Sequence, residues 1–251
     1  MKRRLCRAAM RITIIAGVLG SMPMLASGDE PARRAECPEG MVALSEKVCI
    51  DAFEAHLERL DNAGKPIGVF SPNEAVLGKR VRAKSARGIV PQAYISQTEA
   101  AAACKEAEKR LCSDDEWRAA CKGPLGTAYP YGTRRHAGAC NDRGVEPIAQ
   151  TLKRPASNET WGFDPMNDPR LHLVPGGVAR TGRHDRCRSE VGTFDMVGNL
   201  HEWTADPEGT LRGGYYLDTS KLGEGCDYAA VGHDTKYRDY STGFRCCADR
   251  P

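Results

Sequence analysis

Asp195 and Glu202 bracket a short run that also holds Gly198 and Leu200. Calcium takes six to eight hard oxygen ligands, and short loops supply them by mixing carboxylates with backbone carbonyls. Asp195 and Glu202, with the Gly198 and Leu200 carbonyls between them, are therefore a candidate ligand set for one ion. Gly198 suits a tight loop where a side chain would clash. The competing reading is two solvated acids with no common ligand. His201, inside the same run, reads as a surface or packing histidine.

The cysteines are the second group with chemistry. There are eleven, and Cys6 lies in an apparent leader. The other ten are Cys37, Cys49, Cys104, Cys112, Cys121, Cys140, Cys187, Cys226, Cys246 and Cys247. An even count in an exported chain predicts disulfides, and no Cys-x-x-Cys pair suggests zinc or an iron–sulfur cluster. Cys37 and Cys49 are placed to staple an N-terminal unit. Cys246 and Cys247 are adjacent, so on a strand they face opposite ways and enter two separate bridges. Cys140 and Cys187 flank a long irregular stretch and can pair across it. Metal readings of His184 with Cys187, or of Cys226 with His233, match no recurring tetrahedral spacing. No nucleophile elbow, phosphate-binding loop or dinucleotide fingerprint occurs.

Residues 1–28 read as an export signal. Lys2, Arg3, Arg4, Arg7 and Arg11 precede an apolar run, Ile12 to Leu25, that is short for a membrane span, and Ala26-Ser27-Gly28 offers a cleavage site. The expected product is periplasmic or secreted, without membrane insertion. The leader holds five of the 36 basic residues and none of the 33 acidic ones. The mature chain is thus slightly acidic, and nothing in it suggests a nucleic-acid surface, which needs clustered Lys and Arg.

Residues 29–40 read as a polar linker and 41–251 as one domain. Met41–Leu44 and Val48–Glu54 read as strands, and Asp61–Val90 as loop on its Gly and Pro content. Ser96 and Ser113 each precede a glutamate three residues on, the capping-box signature of a helix start. After Gly123 the pattern turns irregular, with proline-rich loop from Asn141 to Gly192. A loop that long in a compact domain is usually functional.

Several blocks of the chain resemble the sulfatase-modifying factor family, the formylglycine-generating enzymes and their relatives. The strongest is Gly192-Thr193-Phe194-Asp195-Met196-Val197-Gly198-Asn199-Leu200-His201-Glu202-Trp203. Arg110-Leu111-Cys112-Ser113-Asp114-Asp115-Glu116-Trp117, Tyr129-Pro130-Tyr131-Gly132, Leu211-Arg212-Gly213-Gly214-Tyr215-Tyr216 and Gly243-Phe244-Arg245-Cys246 follow in family order. The resemblance implies an α+β, C-type-lectin-like fold in a single disulfide-rich domain with long irregular loops. It implies structural calcium at Asp195, Gly198, Leu200 and Glu202. It also puts Asn141 and Asp142 near a second calcium site, with Asp164 and Asp168 as further candidates. An Asx turn is the equal alternative for Asn141-Asp142. It implies a Cys121–Cys246 bridge. Cys112 stands where the family has proline and is a partner for Cys104 or Cys247.

The family's oxidases bind Cu(I) through two cysteines just after the Gly-Gly pair and convert a sulfatase cysteine to formylglycine. Here Asp218 stands at the first of those positions and Gly223 or a neighbour at the second; another register puts Cys226 at the second, which still leaves one thiol short. A hard carboxylate is a poor Cu(I) ligand, so copper is not expected. Two roles follow. One is an enzyme of divergent, oxidoreductase-like chemistry, with Asp218 as its candidate catalytic base. A periplasmic relative in siderophore maturation similarly lacks the copper pair. The other is a non-catalytic, calcium-stabilised binding module for a protein, peptide or glycan. An open cleft holding Asp218 would favour the enzyme, and a filled surface there the binding module.

Overall fold

The computed structural model describes residues 36–152 and 163–250. The expected export signal and most of the expected linker lie outside them. Strands β1 (Met41–Ala43) and β2 (Val48–Asp51) form where the alternating apolar residues predict them and pair as a hairpin. The expectation of loop from 61 to 90 is wrong. That stretch holds β4 (Pro66–Val69) and β5 (Val81–Ser85), which flank β3 (Ala55–Leu60) in a three-stranded sheet. In β5 every second residue is buried, Val81, Ala83 and Ser85, a period of two spelled with small and charged residues instead of large apolar ones.

Both capping boxes form. Ser96 caps α1 (Gln97–Glu106) and Ser113 caps α2 (Asp114–Lys122), each with the reciprocal bond from its N3 glutamate. Between them lies β6 (Arg110–Leu111). The long loop carries two short helices, α3 (Pro147–Leu152) and α4 (Phe163–Met166), then a 3-10 turn over Pro169–Leu173. The last third supplies β7 (His201–Trp203), β8 (Leu211–Arg212), β9 (Ala229–Ala230), β10 (Thr242–Phe244) and β11 (Cys246–Asp249). The order β10-β7-β8-β9 makes one sheet, and β1-β2-β11-β6 brings the C-terminal strand between two N-terminal ones. No helix among the described residues is long and apolar enough to cross a membrane.

All ten cysteines of the described domain are in disulfides: Cys37–Cys49, Cys104–Cys246, Cys112–Cys247, Cys121–Cys226 and Cys140–Cys187. The expected Cys121–Cys246 bridge does not form. On β11, Cys246 faces the core cluster of Trp203, Phe244 and the buried side of α1, where Cys104 lies. Cys247 faces the other way, into the cluster of Trp117, Met196 and Cys112. Cys121 belongs to that second cluster with Cys226, so strand alternation decides the pairing.

Candidate functional site

The run from Asp195 to Glu202 is bent by left-handed residues, Asp195 (φ +57°), Gly198 (φ +77°) and Asn199 (φ +60°). At Gly198 a Cβ would lie 2.1 Å from the Asn141 carbonyl oxygen, so only glycine allows the loop to pack there. Asn199 donates its backbone N–H to that carbonyl at 3.0 Å, and the Asn141 Nδ2 donates to Asn199 Oδ1 at 2.9 Å. Asn141 is therefore brought to the Asp195–Glu202 loop. Asp142 turns instead to Arg135 (2.8 Å) and accepts from the Gly138 N–H. Asp168 caps the 3-10 turn and pairs with Arg170, while Asp164 is exposed on α4. The structure does not gather these two acids with Asn141 and Asp142.

Glu202, on β7, is buried against Arg245, which joins β10 to β11. Arg245 donates through Nε to Glu202 Oε2 and through an Nη to Oε1, both at 2.6 Å, and the Trp117 indole donates to Oε2 at 2.7 Å. The same guanidinium reaches the Asp51 and Phe194 carbonyls at 3.0 and 2.9 Å. Glu54, just beyond β2, accepts from the Leu200 N–H at 3.0 Å and from the Asn199 amide. Asp195 accepts from the Gly182 N–H at 2.6 Å.

Burial pushes the Asp195 carboxyl up to about 6. Burial pushes Glu54 well above the usual carboxylate range, and the nearby charges of Asp195 and Glu202 push it further. Burial opposes the Arg245 charge, but Glu202, then Glu54 and Asp195, outweigh it and hold the guanidinium protonated. Three buried carboxylates thus face one guanidinium. The carboxyl groups outnumber the guanidinium, both Glu202 oxygens accept from Arg245 or Trp117, and neither the Gly198 nor the Leu200 carbonyl accepts a hydrogen bond among the described loops and turns. No cluster of three or more His, Cys, Asp or Glu arranged for a metal ion occurs among the described residues, so side chains alone would not hold one. Backbone oxygens would have to complete the shell.

Asp218 lies in the loop after Gly213-Gly214. Its Oδ1 accepts from the Ser220 and Lys221 N–H groups at 3.1 Å, and its Oδ2 accepts from the Tyr228 hydroxyl at 3.2 Å. The chain of bonds continues inward. The Tyr228 hydroxyl meets His201 Nε2 at 3.3 Å, and His201 Nδ1 meets Ser241 Oγ at 3.2 Å. Ser241 then donates to Asp239 at 2.8 Å. His201 is a buried member of this chain, and burial lowers it to about 3, so it stays neutral. Asp218 does not line the cavities beside Lys109, Tyr94 or Arg180. Cys187 and Cys226 are bridged, which removes both histidine–cysteine metal readings, and His233 packs on Tyr237.

Sequence reasoning missed Arg245 and Glu54. Arg245 sits in a quoted motif, yet nothing in Gly-Phe-Arg-Cys says which acid it meets. Glu54 at a strand end looks like an ordinary surface acid.

The model of the sulfatase-modifying factor enzyme 1-like domain matches residues 34–250. The inactive C-alpha-formylglycine-generating enzyme 2 of Mus musculus is 29% identical over 177 residues, covering 64% of this chain and 51% of its own. That of Bos taurus is 28% identical over 176 residues, covering 64% and 52%. The chain thus spans about half the length of the curated relatives it matches. Among solved structures, PvdO from Pseudomonas aeruginosa aligns with a TM-score of 0.45 at 13% identity, covering 81% of this chain and 80% of that one. The Major Tropism Determinant I1 variant aligns with a TM-score of 0.47 at 16% identity, covering 86% and 54%.

Proposed function

This chain belongs to the sulfatase-modifying factor family, and we propose that within it the protein is an exported binding module, braced by calcium and without the family's oxidising centre. One observation carries this reading. The loop after Gly213-Gly214 offers no thiolate, because Asp218 replaces the first cysteine and Cys226 is bonded to Cys121. Cu(I) selects soft thiolates, and a carboxylate does not replace them. Asp218 itself is a weak candidate for a base. A base needs reach to the proton it takes, whereas this carboxylate caps two backbone N–H groups and accepts from Tyr228. The name of the mouse and cattle relatives, which calls them inactive, agrees with a role other than oxidation. Five disulfides suit an oxidising compartment, which supports export, with a mature N-terminus after Gly28. The direct check is a Cu(I) competition against bathocuproine disulfonate together with thiol alkylation. The mature protein is expected to withdraw no Cu(I) from the chelator and to alkylate nowhere before reduction. A retained Cu(I) ion with two alkylated cysteines would refute the reading.

In this reading calcium would be held by Asp195, Glu202 and the Gly198 and Leu200 carbonyls. It would offset the surplus buried charge and fix the loop between β7 and the Asn141 turn. Asn141 and Asp142 then serve that loop and the Arg135 contact, with no second ion. An ion present at about 100 times its dissociation constant contributes about 2.7 kcal/mol, and for a domain of this size each 1 kcal/mol shifts melting by roughly 2–4 °C. Chelation should therefore lower the melting temperature by about 5–10 °C, and added calcium should restore it. An unchanged melting curve, with no calcium in the protein as isolated, would remove the ion from the account.

A further inference from the structure

Away from the Asp218 loop, the turn after Cys140 and the segment before Cys187 form the two walls of a groove of about 530 Å³. The Cys140–Cys187 bridge ties the walls together, and Asn141 Nδ2 donates across to the Gly177 carbonyl at 2.9 Å. Three guanidinium groups line it, Arg143, Arg180 and Arg183, with His184 beside them. All three arginines are exposed. Arg180 spends one N–H on the Gly88 carbonyl, a neutral partner. Among the described residues, Arg143 and Arg183 have no carboxylate partner. The acid in the lining, Asp142, is buried and already neutralised by Arg135. The groove is therefore a concave site with uncompensated positive charge in a mature chain that is slightly acidic overall.

Guanidinium forks match carboxylate and phosphate oxygens in bidentate geometry, so the ligand chemistry is that of an oxyanion. The rest of the lining decides the class. It is small or aliphatic, with Val90, Val178 and Ala179 beside glycines, and no Phe, Tyr or Trp lines it. A nucleic-acid strand takes successive stacking platforms, and this groove offers a single imidazole, His184. A run of acidic side chains on an extended peptide needs only spaced cations and a narrow trough, as in other arginine-cluster sites for acidic motifs.

We infer that the groove between the Cys140 turn and the Arg180–Arg183 segment docks an acidic peptide segment of a partner protein. This rests on the binding-module reading and names the ligand class for it. The test uses the full mature protein and a fluorescein-labelled Glu-Ser-Glu-Ser-Glu-Ser peptide, followed by anisotropy at low and high salt. The wild type should bind the peptide, and binding should weaken with salt because exposed charges are screened. Arg143→Gln with Arg183→Gln should weaken binding at least tenfold without changing melting, since both side chains are exposed. Lys65→Gln with Lys236→Gln, an equal charge change elsewhere, should stay within twofold. Equal loss in both double variants would overturn the site. No binding by the folded wild type would overturn it too. Tighter binding of a sulfated oligosaccharide or of single-stranded DNA, lost in the same arginine variant, would overturn the ligand class. The Cu(I) and thiol measurements do not involve these arginines, so failure of the groove and failure of the binding-module reading are separable.

Discussion

Arg245→Met should destabilise the protein by about 3–5 kcal/mol, the cost of breaking a buried ion pair by removing one partner. That is a large share of the roughly 5–15 kcal/mol that holds a domain together. Arg245 is fully buried, and it is the guanidinium that faces Glu202, Glu54 and Asp195. Methionine fills much of its volume but leaves those carboxylates uncompensated. It also strips donors from the Asp51 and Phe194 carbonyls. Arg245→Lys should recover part of the loss, because it returns a charge without the planar fork that meets both Glu202 oxygens. Urea unfolding with the disulfides intact measures this. A midpoint for Arg245→Met equal to that of the wild type would mean the guanidinium is not the centre's main counter-charge.

The second large effect belongs to the paired bridges at β11. Cys104–Cys246 and Cys112–Cys247 run nearly side by side in the chain. With either one intact, the other closes only a short additional loop. Removing one by a pair of alanines should therefore cost about 2–3 kcal/mol on the chain-entropy model. Removing both frees β11 from α1 and from the start of α2, and the loop then lost is set by the more distant Cys121–Cys226 bridge. The combined loss should reach about 6 kcal/mol, about 1 kcal/mol more than the two single losses added. Denaturant unfolding of the three variants gives the comparison. If one single removal costs as much as the double removal, the two bridges do not act as a pair.

The parts of this fold that the sequence discloses are those with local rules. The two capping boxes are written in four residues each, and both helices start where Ser96 and Ser113 place them. The family blocks, from Arg110 to Cys246, identify the sulfatase-modifying factor fold because they combine uncommon residues in fixed order. The sequence pointed to Cys37–Cys49 and to Cys140–Cys187, and it named Cys247 as one of two partners for Cys112. The partners of Cys121 and Cys246 depend on which face of β11 each side chain takes, and that is settled by strands far apart in sequence. β4 was hidden by Pro66 and Gly68, which are poor strand formers, and β5 because the buried half of its alternation is partly small or polar, Ala83 and Ser85, instead of large and apolar. At the centre, Asp195 and Glu202 were visible, but Arg245 and Glu54 meet them only after β2, β7 and β10 have assembled. His201 reads as an ordinary packing residue until Tyr228 and Ser241 are placed on either side of it.

The most direct test of the account is turnover. The mature protein is incubated with Cu(I), oxygen and a peptide containing Cys-x-Pro-x-Arg, and the peptide is then weighed by mass spectrometry. The loop after Gly213-Gly214 presents Asp218 and a bridged Cys226, so the account predicts that the peptide keeps its cysteine and its mass. Formylglycine appearing with multiple turnovers, and persisting in the Cys226→Ala variant, would contradict it.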